Sequence, residues 1–312
     1  MKEKITIIGA GLMGHGICQI FTLAGHETCM YDAFPEALEK GMAGLSANLS
    51  LAVEAGFVTS AEAAAAHRRA KTEPALEKAL DGAAFVFECA PEKMELKQGI
   101  FKNLDQITPP ETILASNTSV MSITEIASQS RNRSRIIGTH FWNPPHLIPL
   151  VEVVQTVDTS LDVVKKTMSL LAVAGKKPIH VKKDVPGFVA NRMQHALWRE
   201  AFHILDEGIA EDAETIDIAV KNSFGLRLPQ LGPLENADMI GLDLTYNIHE
   251  YILKYLAENH EPSRILKEKI AKGELGFKTG GNGLREWNQE TMDKSRVELS
   301  EYLMAMALKN KK

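Results

Sequence analysis

A glycine-rich turn between a short apolar strand and a helix is the feature that most limits the fold of this chain. Residues 5–8 read Ile-Thr-Ile-Ile, which predicts a buried strand, and Gly9, Gly11 and Gly14 follow directly. The helical pattern after them gives way to a second strand that ends on Asp32, about 20 residues beyond the turn. A lone glycine pattern is weak evidence, but this strand–turn–helix–strand frame is typical of a dinucleotide-binding unit.

Each part of this turn has a physical task in holding a dinucleotide. Gly9 allows the tight turn, Gly11 lets the backbone approach a pyrophosphate, and Gly14 lets helix and strand pack closely. The first N–H groups of the helix lack partners within it and favour an anion. Asp32 would accept hydrogen bonds from a ribose but repel a 2′-phosphate, and no Lys or Arg follows it immediately. The sequence therefore predicts NAD rather than NADP.

Strands and helices alternate up to about residue 181, after which only helical patterns remain. Further strands are predicted at 83–88, 112–115, 135–139, 148–154 and 177–181, with helices at 35–55, 59–70, 93–104 and 160–174. The later helices are predicted at 189–208, 213–223, 239–258 and 263–272. We expect an α/β fold, with a Rossmann-type doubly wound domain carrying an inserted helical hairpin over 1–185 and an all-helical C-terminal domain over 186–312.

A histidine and a glutamate in the middle of the chain are the main candidates for catalysis. His140 follows one predicted strand, and Glu152 lies between Val151 and Val153 in the next. A carboxylate among apolar neighbours is costly to bury unless it is paired, and His140 is the obvious partner. Such a pair makes a proton acceptor, because the carboxylate fixes the imidazole tautomer and stabilises the imidazolium. The segment alone is equally compatible with an ordinary histidine and an exposed glutamate.

Composition narrows the class of protein. An apolar content of 45% and a charged content of 24% are those of a soluble globular chain. A net charge of -5 gives no reason to expect nucleic acid, and no apolar run is long enough to cross a membrane. The N-terminus runs straight into a strand, so we expect no signal peptide. We expect no metal site, and the scattered cysteines Cys18, Cys29 and Cys89 favour reduced thiols in a cytoplasmic protein.

Along essentially its whole length, the chain resembles the 3-hydroxyacyl-CoA dehydrogenase family. The segments that carry this resemblance are residues 9–14, 116–119, 140–152, 183–192, 232–233, 241–243 and 276–280. The family oxidises a secondary alcohol at C3 with NAD, in a cleft that its two domains close over the substrate. The resemblance also implies a homodimer formed through the C-terminal domain.

Residue roles follow from the resemblance position by position. His140 matches the catalytic base, Glu152 its orienting carboxylate, and Ser119 and Asn191 the side chains that hydrogen-bond the reacting oxygen. The expected cofactor contacts are Gly9, Gly11, Leu12, Met13, Gly14, Asp32, Glu92, Lys97 and Asn117. Simpler roles remain open: Ser119 as a helix cap, Asn191 as a surface residue, and Glu92 with Lys97 as an exposed pair.

The substrate is less determined than the reaction. The inserted hairpin has no Lys or Arg from Gly41 to His67, whereas acyl-CoA members carry basic residues there that help to hold the CoA. Residues 145–149 and 224–235 resemble the CoA-free relatives, the L-gulonate 3-dehydrogenase/lambda-crystallin branch and the carnitine dehydrogenases, which also have an arginine at the position of Arg227. We expect a small 3-hydroxy acid held by Arg227, unless that residue is only an exposed loop charge. The alternatives are a short-chain L-3-hydroxyacyl-CoA dehydrogenase and a non-catalytic NAD-binding protein of the lambda-crystallin type.

Overall fold

An eight-stranded sheet forms the centre of the first of two structural units. The computed structural model describes residues 2–309. The strands are β1 (Lys4–Ile8), β2 (Glu27–Tyr31), β3 (Ala70–Thr72), β4 (Phe85–Glu88), β5 (Ile113–Ser116), β6 (Ile136–Phe141), β7 (Leu150–Val154) and β8 (Lys177–Val181). Their order in the sheet is β3-β2-β1-β4-β5-β6-β7-β8. Strands β1 to β6 are parallel, β7 is antiparallel to β6, and β8 is parallel to β7. The doubly wound expectation is confirmed, with the order reversing between β1 and β4.

Both faces of this sheet are buried, which explains its nearly continuous apolar strands. Phe85 and Phe87 of β4 belong to one apolar cluster and Val86 between them to another. Side chains alternate across a strand, so one short run contributes to both halves of the core. The helices of this unit are α1 (Leu12–Leu23), α2 (Pro35–Glu54), α3 (Ser60–Arg69), α4 (Leu76–Leu80), α5 (Met94–Ile107), α6 (Ile123–Ile126) and α7 (Leu161–Val173).

Helices α2 and α3 form the expected inserted hairpin between β2 and β3. Thr59 is the N-cap of α3 and forms a capping box with Glu62. The Thr59 hydroxyl accepts a hydrogen bond from the Glu62 amide, and the Glu62 carboxylate accepts one from the Thr59 amide. Pro35 stands at the first position of α2, where its missing N–H has no cost.

The second unit is helical, with no strand in the part of it that the structure describes. Its helices are α8 (Ala190–Asp206), α9 (Ala213–Lys221), α10 (Phe224–Arg227), α11 (Pro233–Ile240), α12 (Leu242–Ile252), α13 (Arg264–Ala271) and α14 (Gln289–Lys309), except that the start of α8 and the end of α14 belong to the first unit. The prediction of a single helix over residues 239–258 is wrong. Gly241 has φ +101°, a conformation that ends α11 and separates it from α12.

Contacts within the chain divide it at a point slightly beyond the boundary expected after residue 185. One unit runs to Arg192 and takes in residues 300–309, and the other runs from Met193 to Leu299. Residues 188–190 stay with the sheet because Phe188 is buried in one of its clusters and the amides of Val189 and Ala190 bond to Glu152.

Candidate active site

Two glycines of the first turn are required by contacts with neighbouring backbone. Gly9 has φ +102°, and a Cβ there would lie 2.9 Å from the carbonyl oxygen of Cys89. A Cβ on Gly14 would lie 1.8 Å from the carbonyl oxygen of Gly9. No larger residue fits either position without moving the backbone, so the turn holds the start of α1 close to the ends of β1 and β4.

The third glycine and Asp32 fit a dinucleotide. A Cβ on Gly11 would meet no atom within 4 Å, so open space remains at the N-terminus of α1, which has no side-chain cap. The Asp32 carboxylate is half-buried and accepts hydrogen bonds from the amides of Ala10 (2.9 Å) and Phe34 (3.0 Å). A carboxylate has about four lone-pair sites, so acceptor capacity remains for ribose hydroxyls. Of the two residues after Gly11 in the expected cofactor set, Leu12 is exposed and Met13 half-buried.

The register of two antiparallel strands brings His140 and Glu152 together. They are directly opposite each other in the β6–β7 ladder, so their side chains share one face of the sheet. His140 Nδ1 lies 2.8 Å from Glu152 Oε2, and both side chains are buried. The indole N–H of Trp142 donates to the same oxygen at 3.3 Å. Glu152 Oε1 accepts the amide protons of Val189 (2.9 Å) and Ala190 (3.0 Å) at the start of α8.

These hydrogen bonds keep Glu152 ionised in spite of its burial. Desolvation is the largest influence on the pKa of Glu152 and raises it. The hydrogen bonds from His140, Ala190 and Val189 together outweigh it, so that the pKa lies below its ordinary value. An ionised carboxylate accepts the proton on Nδ1, which leaves Nε2 of His140 as the lone-pair nitrogen. The arrangement can therefore accept a proton at Nε2.

Ser119 and Asn191 also lie close together in the structure. Ser119 follows β5, Asn191 lies in the first turn of α8, and the Asn191 side-chain amide donates to the Ser119 carbonyl oxygen at 2.9 Å. The cap of α6 is Ser122 rather than Ser119. Within residues 2–309, the Ser119 hydroxyl and the Asn191 side-chain oxygen make no hydrogen bond, so both are available to a ligand. Asn191 is buried, which excludes a simple surface role.

Lys97 and Glu92 are not an exposed surface pair. Lys97 is 1% exposed, and its ammonium lies 2.7 Å from Glu88 and 3.3 Å from Glu92. Sequence reasoning missed Glu88, which is fully buried and also accepts a hydrogen bond from Ser116 at 2.7 Å. Its signal was similar to the one that identified Glu152: a glutamate in an apolar strand, here at the end of β4 after Phe-Val-Phe.

Asn117 and Trp142 have structural contacts that the sequence did not indicate. The Asn117 side-chain oxygen accepts the Phe141 amide proton at 2.9 Å, which ties the residue after His140 to the end of β5. The ring centroid of Trp142 lies 5.3 Å from that of His140. The environment of His140 thus depends on Asn117, which was expected to contact the cofactor, and on Trp142, for which the sequence indicated no role.

Arg227 belongs to the second unit, whereas the other candidate residues belong to the first. It ends the short helix α10, and its side chain is exposed. Its guanidinium forms no salt bridge with the residues that the structure describes.

Neither a metal cluster nor a membrane span is present between residues 2 and 309. No three His, Cys, Asp or Glu side chains lie close enough to hold a metal ion. No described helix combines the length and the apolar character that crossing a membrane requires.

Comparison with known proteins supports the resemblance over most of the chain. The family model for the 3-hydroxyacyl-CoA dehydrogenase NAD binding domain matches residues 4–185, and that for the C-terminal domain of the same enzymes matches residues 187–286. A probable 3-hydroxybutyryl-CoA dehydrogenase of Bacillus subtilis (strain 168) is 39% identical over 93% of this chain and 99% of its own length. An L-carnitine dehydrogenase of Streptomyces griseus is 38% identical over 74% of this chain and 68% of its own.

Solved structures of similar fold include enzymes with and without CoA in their names. An NAD+-dependent 5-formyl-3-hydroxy-2-methylpyridine 4-carboxylic acid 5-dehydrogenase has a TM-score of 0.92 at 29% identity, covering 100% of this chain and 99% of that one. The (S)-3-hydroxybutyryl-CoA dehydrogenase of Ralstonia eutropha has a TM-score of 0.75 at 34% identity, covering 93% and 100% respectively.

Proposed function

The chain belongs to the 3-hydroxyacyl-CoA dehydrogenase family, and from that membership we propose that it oxidises the C3 hydroxyl of a small, CoA-free 3-hydroxy acid. It is an NAD-dependent oxidoreductase, as its NAD-binding domain and its relatives establish. The product is the 3-oxo acid. The observation that carries the catalytic part of the proposal is the buried His140–Glu152 pair, with its 2.8 Å hydrogen bond.

The residues of the first unit divide the chemistry among them. Bound NAD supplies the hydride acceptor. His140 takes the hydroxyl proton at Nε2, because Nδ1 is engaged by Glu152. Glu152 holds the ring and stabilises the imidazolium that forms. Ser119 and Asn191 orient the substrate oxygen, whose carbonyl character grows as the proton and hydride leave.

Two observations support a substrate that carries no CoA. First, no Lys or Arg is present from Gly41 to His67, before Arg68 and Arg69 at the end of the hairpin, whereas CoA brings several phosphate charges. Second, the pyridine-carboxylate dehydrogenase covers the full chain at a TM-score of 0.92, whereas the Ralstonia acyl-CoA enzyme covers 93% at 0.75. Arg227 would then hold the substrate carboxylate through a bidentate pair.

The second candidate is a short-chain L-3-hydroxyacyl-CoA dehydrogenase. It is favoured by the 39% identity to the Bacillus protein over nearly the whole of both chains. A non-catalytic protein of the lambda-crystallin type would not need the buried His140–Glu152 pair, which the proposed reaction uses directly.

Steady-state NAD+ reduction across a substrate panel tests the choice. The panel contains gulonate, carnitine and other small 3-hydroxy acids, together with L-3-hydroxybutyryl-CoA. We expect the highest kcat/KM for one of the small acids. Arg227→Ala should raise its KM more than it lowers kcat, since the ion pair is present in ground and transition states alike. Lys221→Ala, which removes an exposed cation from the preceding helix, serves as the control.

The opposite result is equally clear. Efficient turnover of the thioester, together with no effect of Arg227→Ala, would contradict the small-acid proposal. It would assign the chain to the acyl-CoA dehydrogenases and leave the dyad chemistry unchanged.

We further propose that the C-terminal domain, 186–312, binds substrate and joins two copies into a homodimer. Apolar side chains are exposed along α11 and α12, including Met239 (70%), Leu242 (64%), Tyr246 (64%) and Tyr251 (65%). Exposed apolar patches of this kind mark association surfaces. The cytoplasmic location stays part of the same proposal, supported by three free cysteines.

A further inference from the structure

The carboxylate of Glu92 contacts the loop after β5 at several points. Glu92 Oε1 accepts the Ser119 amide proton at 2.7 Å, and the Thr118 hydroxyl donates to both carboxylate oxygens at 2.9 and 3.0 Å. Thr118 is buried and its hydroxyl also accepts the Met121 amide proton at 3.2 Å. One side chain thus fixes the backbone on which Ser119 stands. We propose that Glu92 is a positioning residue for Ser119, in addition to its expected place among the cofactor contacts.

The buried ion pair behind Glu92 fixes its position in turn. Lys97 lies between Glu88 and Glu92 and also donates to the Ala90 carbonyl at 3.1 Å. A hydrogen bond with a charged donor or acceptor, such as those that Lys97 and Glu92 make, is shorter and stronger than one between two neutral groups. The side chain of Glu92 is 40% exposed, so its contacts with the loop and with Lys97 are what hold it.

The same loop also fixes the second oxygen-binding residue. The Ser119 carbonyl oxygen accepts a hydrogen bond from the Asn191 side-chain amide at 2.9 Å. A shift of the Ser119 backbone would therefore move both groups that orient the substrate oxygen. This inference rests on the proposed function, because it takes Ser119 and Asn191 as the residues that bind that oxygen.

Glutamine at position 92 tests the idea with little change of shape. Its amide has one acceptor oxygen where the carboxylate has two. One of the donors, either the Ser119 amide or Lys97, would then face an NH2 group. The loop should shift, and a misplacement of about 1 Å can cost on the order of 10²-fold in rate.

The experiment compares Glu92→Gln with the unmutated enzyme, using whichever panel substrate that enzyme oxidises best. We expect kcat to fall on the order of 10- to 100-fold, with the Kd for NADH changed less than about threefold. Glu95→Gln, which changes an exposed glutamate in the first turn of α5, is the matched control and should behave as the unmutated enzyme.

A double-mutant cycle separates this role from a general loss of structure. If Glu92 acts through Ser119, Glu92→Gln should cost less in kcat when Ser119 is already alanine, and the cost that remains should come through Asn191. Additive effects of the two substitutions would overturn the proposal, as would an unchanged kcat with a raised Kd for NADH. Because the comparison uses the best substrate of either class, a wrong substrate assignment leaves this test intact.

Discussion

Replacing His140 with glutamine should lower kcat on the order of 10²–10⁴-fold, the usual contribution of a positioned general base. Glutamine keeps a hydrogen-bonding group close to Glu152 but cannot accept the hydroxyl proton. Binding of NADH, measured by fluorescence titration, should remain nearly unchanged, because the dyad lies on β6 and β7 and the glycine turn follows β1. The expected result is therefore a defect in the chemical step alone.

An exposed histidine serves as the control for this substitution. His67→Gln, in the last turn of α3, should keep full activity. Glu152→Gln should also slow turnover, because it removes the charge that stabilises the imidazolium. Near-full activity of His140→Gln would refute the assignment of His140 as the base.

Replacing Asp32 with alanine should weaken the binding of NAD and reduce the preference of the enzyme for NAD over NADP. Hydrogen bonds to a charged group contribute about 1.5–3 kcal/mol, which corresponds to about a 10- to 100-fold loss in kcat/KM for NAD. The carboxylate also holds the Ala10 and Phe34 amides, so part of the loss comes from a looser turn. For NADP, removal of the repelling charge offsets that loss.

Asp32→Asn separates the two contributions. Asparagine can keep an acceptor for the turn amides but removes the charge. It should therefore reduce the difference in kcat/KM between NAD and NADP, with less loss of activity than Asp32→Ala. Glu36→Ala, an exposed acid in the first turn of α2, is the control. Comparable kcat/KM for both cofactors in the unmutated enzyme would contradict the role of Asp32.

Much of the fold could be predicted because its signals are local. The strands of the sheet are short apolar runs bounded by polar or glycine residues, and the capped hairpin helix shows Thr59 and Glu62 at the expected spacing. Elements without such signals were missed. Strand β3 has two exposed residues out of three, and α14 has its apolar residues spread around the helix rather than along one face. Gly241 lies within a helical pattern, and its positive φ cannot be read from neighbouring residues.

The candidate site shows the same limit. His140 and Glu152 could be paired from the sequence because they lie on adjacent strands joined by a short connection. Glu88 and Lys97 meet across a strand and a helix, and Glu92 meets Ser119 across 27 positions of the chain. Such contacts depend on how the helices pack against the sheet, and no local sequence pattern predicts them.

Transfer of deuterium tests the central claim most directly. The substrate of the highest kcat/KM is prepared with deuterium in place of hydrogen at C3 and oxidised with NAD+, and the reduced cofactor is analysed by mass spectrometry and NMR. If the enzyme oxidises a C3 alcohol with NAD as hydride acceptor, one deuterium per turnover will appear at C4 of the nicotinamide. Reduced cofactor without the label, or label lost to solvent, would contradict that account.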